Sequence, residues 1–286
     1  MSSNQALQCV RRLYRAQKAG HTGSLDPLAS GVLPLCFGDA TKFSQYLLDS
    51  DKVYAVTACM GIATDTGDAQ GQVTSEQAMP ACSTVHIESI LSTFRGTQQQ
   101  IPPMYSALKH QGQPLYKLAR QGQVIERASR QITVHQLTLV RWDAPYLSLE
   151  VAVSKGTYVR TLVEDVGQAL GVGAHVVTLR RLQAGPFSLP ETVSLSSLMA
   201  IEAAEGVMGL QRLLQPVGRA VADWPSVVLS PESAEKLLQG QAVAPLHALR
   251  AERVQIHQWP NRFLGVGEIL PDGRVAPRRL VCAISE

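Results

Sequence analysis

Leu147-Ser148-Leu149-Glu150-Val151-Ala152-Val153-Ser154-Lys155-Gly156-Thr157-Tyr158-Val159-Arg160 changes its apolar period in mid-run. Leu147, Leu149, Val151 and Val153 alternate with small or polar residues, the period of a half-buried strand. Leu162, Val163, Val166, Ala169 and Leu170 then recur at helical spacing, and Gly171 supplies a stop. Between them, Ser154-Lys155-Gly156 reads as a tight turn. A strand that gives way to an amphipathic helix within a few residues predicts a chain mixing sheet and helix. Arg160 then falls at a strand-to-helix junction, and Tyr158 and Arg160, two apart, share one face of a short strand.

The same pattern extends in both directions. Ser3 is placed to cap a helix carrying Leu7, Val10 and Tyr14, with Gly20 as its stop. Asp39 is placed to cap a second helix with Phe43, Tyr46 and Leu47. Tyr54-Ala55-Val56-Thr57-Ala58 reads as a strand, Gly67-Asp68-Ala69-Gln70-Gly71 as a loop, and Val85 to Phe94 as a short helix with Ile87, Ile90, Leu91 and Phe94 inward. Two prolines make Ile101-Pro102-Pro103 a shaped loop, since each removes a backbone donor. Composition changes near Val217 to Pro225, which sets a boundary: residues 1–224 form one domain and 225–286 another. In the second, Ser230-Pro231 starts a helix ending at Gly240, and Val254 with Ile256, Phe263 to Ile269 and Val275 to Val281 read as strands of a compact β module.

Gly20-His21-Thr22-Gly23-Ser24-Leu25-Asp26-Pro27-Leu28-Ala29-Ser30-Gly31 is the segment richest in chemical implication. Pro27 pushes Asp26 out of the helical region, and the glycines permit sharp turns and close approach. Such a run presents one carboxylate outward. An ordinary Asp-Pro turn, its carboxylate bonded only to nearby amides, accounts equally well for this fragment taken alone.

With 286 residues, 45% of them hydrophobic, the chain is long enough to bury a large core and a smaller one. The net charge is only +3, so affinity for nucleic acid must come from where the cations sit. Arg11, Arg12, Arg15 and Lys18 fall on one expected helix; Lys109, Lys117, Arg120, Arg127 and Arg130 share a segment whose only acid is Glu126. Both stretches suit a phosphate backbone or, more plainly, a solvated face. Cys9, Cys36, Cys59, Cys82 and Cys282 are odd in number and hold no C-x-x-C pair, which argues against a zinc site and a disulfide framework and for reduced thiols in a cytoplasmic protein. No continuous apolar run of membrane-spanning length is expected.

Three segments together carry a resemblance: the run around Asp26, the strand at Tyr54, and Ser154-Lys155-Gly156-Thr157-Tyr158-Val159-Arg160. They resemble the catalytic segments of the TruB family, pseudouridine synthases acting on the T-loop of tRNA. The likeness continues in order through Phe43 to Lys52, Ile101 to Lys109, Gly173-Ala174-His175-Val176, Leu179-Arg180-Arg181-Leu182, Gly267-Glu268-Ile269 and Arg274 to Leu280, nearly the whole chain. It implies an α+β catalytic domain with a mixed, largely antiparallel sheet flanked by helices, and a small C-terminal PUA-like RNA-binding β domain. For the latter role Arg250, Arg253, Arg262, Arg274, Arg278 and Arg279 are candidates. It also implies a longer N-terminal segment, of which only Met1-Ser2-Ser3-Asn4 remains in this sequence.

By the same resemblance Asp26 is the catalytic aspartate, Arg160 its arginine partner and Tyr54 the tyrosine that stacks on the target base. Tyr158 and Leu179 line the uracil pocket, and His21 contacts RNA where the base has left; Lys155 is a further candidate substrate contact. The substrate is tRNA, and no metal, cofactor or membrane is implied; a monomer is expected. The chemistry is an isomerisation. The C–N glycosidic bond breaks, uracil turns, and a C–C bond forms, so one ionised carboxylate, a cation to orient it and a closed pocket are a complete set of tools. No P-loop, zinc-deaminase or dinucleotide fingerprint is present. Two other readings remain open at this stage: an RNA-binding or tRNA-folding chaperone, and a glycosylase releasing free uracil.

Overall fold

The structure, a computed structural model, describes residues 1–247 and 249–281. The described residues pack as two compact units, one of 1–3, 24–33 and 49–192, the other of 4–23, 34–48 and those from 193 onward.

The first unit is built on a seven-stranded sheet. Along the sheet run Phe187–Ser188, Ala174–Ala184, Lys52–Met60, Tyr146–Val153, Arg130–Asp143 and Gly96–Gln100, every pairing antiparallel. Ser30–Gly31 adds alongside Ala174–Ala184 as a parallel neighbour, and Asp68 makes an isolated parallel bridge to Val176 of the same strand. The alternation in Tyr146–Val153 puts Leu147, Leu149, Val151 and Val153 inside. The helix Val159–Ala169 covers that face with Val159, Leu162, Val163 and Val166, and Thr84–Thr93 adds Ile87 and Leu91 to the same core. Each such side chain removed from water contributes about 1.5–3 kcal/mol, enough together to hold the helix against the sheet.

The second unit joins the helices Ser3–Leu13, from residue 4 onward, and Leu195–Gln211 around Val10, Leu198 and Leu210. It also holds a two-stranded ladder of Ala19–His21 on Leu35–Phe37. Its other core lies in a four-stranded sheet, ordered Ser226–Leu229, Val254–Gln258, Arg262–Ile269, Val275–Leu280. The first pair is parallel, and the helix Pro231–Leu238, capped by Ser230, lies in the connection between its strands.

Several local expectations are corrected. The first helix stops at Leu13, not Gly20: Arg15 takes a left-handed φ of 51°, and Gly20 lies within a strand. Ser3 does not cap that helix; it is the first helical residue, and its hydroxyl accepts from Leu25 N–H at 2.8 Å. Asp39 lies inside a short 3-10 turn, Gly38–Phe43, and pairs with Lys42 at 3.0 Å. Tyr158 and Arg160 share no strand face, because Tyr158 is the N-cap and Arg160 the second residue of Val159–Ala169. Cys9, Cys36, Cys59 and Cys82 are free thiols, of which Cys36 and Cys59 are buried; Cys282, like the end of the 225–286 module, lies outside the described residues. Leu189–Gln211 is long and apolar enough, with mean hydropathy 1.3, to cross a membrane by length and composition alone. It carries Glu191, Glu202 and Glu205, and Gly206 leaves helical geometry within it.

Candidate active site

Asp26 sits in a turn closed by Ala29 N–H on its own carbonyl, 2.9 Å away. That turn is anchored at both ends. Upstream, Ser3 holds Leu25; downstream, Ser30–Gly31 pairs with Arg180 and Arg181. The carboxylate therefore points from a fixed loop and not from a free one.

Arg160 meets it. Val159–Ala169 packs its first turn into the core, leaving Arg160 only 3% exposed. Its Nε donates to Asp26 Oδ2 at 2.8 Å and its Nη2 to Oδ1 at 3.1 Å, the two-bonded fork that suits guanidinium and carboxylate. Nη2 also donates to the Tyr105 carbonyl and Nη1 to that of Thr66, both at 2.7 Å. With these contacts the guanidinium cannot swing away.

A second acid shares it. Asp68, 4% exposed, lies 3.7 Å from Nη1 through Oδ2, while its Oδ1 accepts from Thr66 Oγ1 at 2.8 Å and Gln70 N–H at 3.0 Å. Two carboxylates thus flank one cation. Burial pushes the Asp26 carboxyl above its usual range, the Arg160 charge and hydrogen bonds draw it back, and the Asp68 charge pushes it up again. Glu164, one helical turn after Arg160, is pushed up to about 7, chiefly by burial.

Tyr54, on the central strand Lys52–Met60, is half-buried against the core. Burial raises its phenol pKa, the charge and hydrogen bonding of Arg181 oppose that rise, and the charge of Asp26 adds to it. Leu179, 6% exposed, faces Val56 across the ladder and belongs to the hydrophobic core. Tyr158 is held by Gln100: its N–H donates to Oε1 at 2.8 Å and its carbonyl accepts from Nε2 at 3.1 Å. Arg130 lies over its ring, 4.9 Å from the centroid. Lys155 is exposed and ion-paired to Asp49 at 3.0 Å. His21 belongs to the other unit, half-buried on Ala19–His21 opposite Leu35.

Asp68, Thr66, Tyr105, Gln100 and Arg181 escaped sequence reasoning. Asp68 had a signal, a lone acid framed by Gly67 and Gly71 much as Asp26 is framed by Gly23 and Gly31. Thr66 and Tyr105 had none, because they act through main-chain carbonyls. Among the basic residues, Arg11 is spent on its own chain, donating to Ala16 O at 3.0 Å and Gln17 O at 2.9 Å.

An acid locked to a buried arginine, beside a tyrosine on a mixed sheet, marks an enzyme whose chemistry turns on one carboxylate. Comparison with known proteins narrows the class. Residues 11–159 match the family model for the TruB family pseudouridylate synthase N-terminal domain, 160–222 that for the tRNA pseudouridylate synthase B C-terminal domain, and 225–281 that for the pseudouridine synthase II TruB C-terminal region. The tRNA pseudouridine synthase B of Ectopseudomonas mendocina (strain ymp) is 54% identical over 280 residues, 98% of this chain and 91% of that protein. That of Pseudomonas aeruginosa (strain UCBPP-PA14) is 53% identical over 281 residues, 98% of this chain and 92% of that one. A chain in the crystal structure of a Cbf5-Nop10-Gar1 complex superposes with a TM-score of 0.74 at 25% identity, over 94% of this chain and 75% of that one. One in an H/ACA RNP bound to a substrate RNA containing 2'-deoxyuridine shares the fold at 22% identity and a TM-score of 0.75, over 98% of this chain and 81% of that one. The chain belongs to the TruB family of pseudouridine synthases.

Proposed function

We propose that this protein converts uridine-55 in the T-loop of tRNA to pseudouridine, with Asp26 as the group that attacks the sugar or, as a base, opens the way to a glycal. One observation carries the reading: Arg160 grips both oxygens of Asp26, at 2.8 and 3.1 Å, from a buried position. A carboxylate so held is aimed without being consumed. Cleavage of the C–N bond leaves uracil free to turn, Tyr54 offers a ring face to it, and rejoining through C5 releases the C5 hydrogen. Stacking on an aromatic face contributes about 1–3 kcal/mol per base and offsets part of the cost of extruding the nucleotide.

The finer assignments belong to the same proposal. Tyr158 and Leu179 line the uracil, Lys155 and His21 contact the RNA, the T-arm is the element recognised, residues 1–224 form the catalytic domain and residues 225–286 a PUA-like RNA-binding domain. A monomer is part of the same reading, and a tRNA substrate supports work in the cytoplasm.

The test uses a T-arm hairpin tritiated at C5 of its uridines. Wild type releases tritium while the base stays attached to RNA; Asp26→Asn binds the hairpin and releases none. Free uracil as the product would point to a glycosylase, and unchanged tRNA folding in cells carrying Asp26→Asn, with no label released by wild type, to a chaperone.

A further inference from the structure

Arg181 is the bulkiest fully buried side chain among the described residues, 1% exposed, and the proposed reaction makes no use of it. A guanidinium does not shed its charge, so burying it is costly unless its donors are met. Here its Nε donates to the Val32 carbonyl at 2.6 Å, and its charge and donors bear on the phenol of Tyr54, its direct partner on the neighbouring strand. Its own carbonyl accepts from Val32 N–H at 2.9 Å.

These contacts join two segments that the reaction must keep together. Tyr54 and Arg181 are direct partners across the ladder, so their side chains leave the same face of the sheet. Immediately after Arg181 the register shifts, the kind of irregularity that re-aims a side chain. Val32 lies at the end of the loop that carries Asp26, and that loop comes in close: a Cβ on Gly31 would stand 2.1 Å from the Arg181 carbonyl, and Gly31 has φ +103°. Only glycine permits the approach.

We infer that Arg181 is a positioning residue, one guanidinium fixing the Tyr54 phenol oxygen and the far end of the Asp26 loop at once. Ring and acid then keep their spacing while the uracil turns between them. The inference rests on the role proposed above for Tyr54. A lysine, a point charge on a flexible stem, lacks the planar fork that spans both partners.

The test compares single-turnover rate and hairpin Kd for the full chain as wild type, Arg181→Lys, Tyr54→Phe, the double variant and Asp26→Asn. Each of Arg181→Lys and Tyr54→Phe is expected to slow the reaction by about tenfold or more, the size of one oriented hydrogen bond lost, with Kd within about twofold of wild type. The double variant should be no slower than the slower single, because both changes break the same link. Multiplicative losses, a wild-type rate from Arg181→Lys, or a loss confined to Kd would overturn the inference. If Arg181→Lys does not fold, Tyr54→Phe decides: it keeps the ring but not the hydrogen bond, and a wild-type rate from it overturns the inference. Turnover by Asp26→Asn would instead bring down the proposed function itself.

Discussion

The charges around Asp26 and those of the C-terminal sheet follow opposite rules. Arg160, Asp68 and Arg181 are each under 5% exposed; the two arginines spend donors on named atoms of distant segments, and Asp68, held locally by Thr66 and Gln70, faces Arg160 from a distant segment. Arg274 and Arg278 are more than half exposed and pair with Asp272 and Glu268 of their own hairpin, at 2.7 and 2.6 Å. Both sets look alike as letters. Burial separates them: a desolvated charge must be matched where it stands, so it dictates geometry, whereas a solvated one is screened and replaceable. In this protein the first arrangement aims an acid, and the second leaves a surface whose cations are partly neutralised before any phosphate arrives.

Breaking the buried arrangement should have the largest effect. Arg160→Met leaves Asp26 and Asp68 without their cation and should cost about 3–5 kcal/mol of unfolding free energy, read from urea denaturation; a loss below about 1 kcal/mol would make the contrast empty. Next comes Glu164, whose folded pKa of about 7 lies above its ordinary 4.5. Its contribution to stability is full below about pH 4.5 and is lost as pH rises through about 7, since the unfolded state ionises first. Glu164→Gln should therefore flatten that fall and stabilise the protein at pH 8 by about 1–3 kcal/mol, measured as unfolding free energy across pH 4 to 9.

A smaller effect sharpens the contrast from between the two extremes. Arg130 is half-buried over Tyr158, and its Nε has no hydrogen-bond partner among the described residues. A cation with no ion pair among the described residues, beside the proposed RNA site, is suited to a phosphate. Arg130→Met should weaken hairpin binding and lower the slope of log K against log salt by about 0.7–0.9; an unchanged slope would assign Arg130 to packing alone. At the far end, Arg278→Met should shift stability by about 0–1 kcal/mol. A loss comparable to that of Arg160→Met would show that exposure is not what divides the two regions.

Much of this architecture could be read along the chain. The alternation of Leu147 to Val153 and the helical spacing of Leu162 to Leu170 are local periods, and both elements form where those periods place them. The turn at Asp26 and the helix start at Arg160 were legible because a proline-glycine frame and a turn before a helix are also local, but their pairing was implied only by the family resemblance. Ser3 and Gly20 misled for the opposite reason: a hydroxyl near a helix start and a glycine after it have local uses, but tertiary partners, Leu25 for one and a ladder opposite Cys36 for the other, took them instead. Thr66 and Tyr105 left no trace, since a carbonyl belongs to every residue.

What the sequence determined alone was the alternation of strand and helix and the presentation of one carboxylate, both set by backbone sterics and apolar spacing within about a dozen residues; its cationic partner, 134 residues away, came only through the family resemblance. Only the tertiary structure decided that Asp68 would share Arg160 and that Arg181 would tie Tyr54 to the Asp26 loop. Those contacts span more than ninety residues of chain, between Asp68 and Arg160, or well over a hundred, between Arg181 and Tyr54. They exist because a buried charge takes whichever partner folding brings within hydrogen-bond reach.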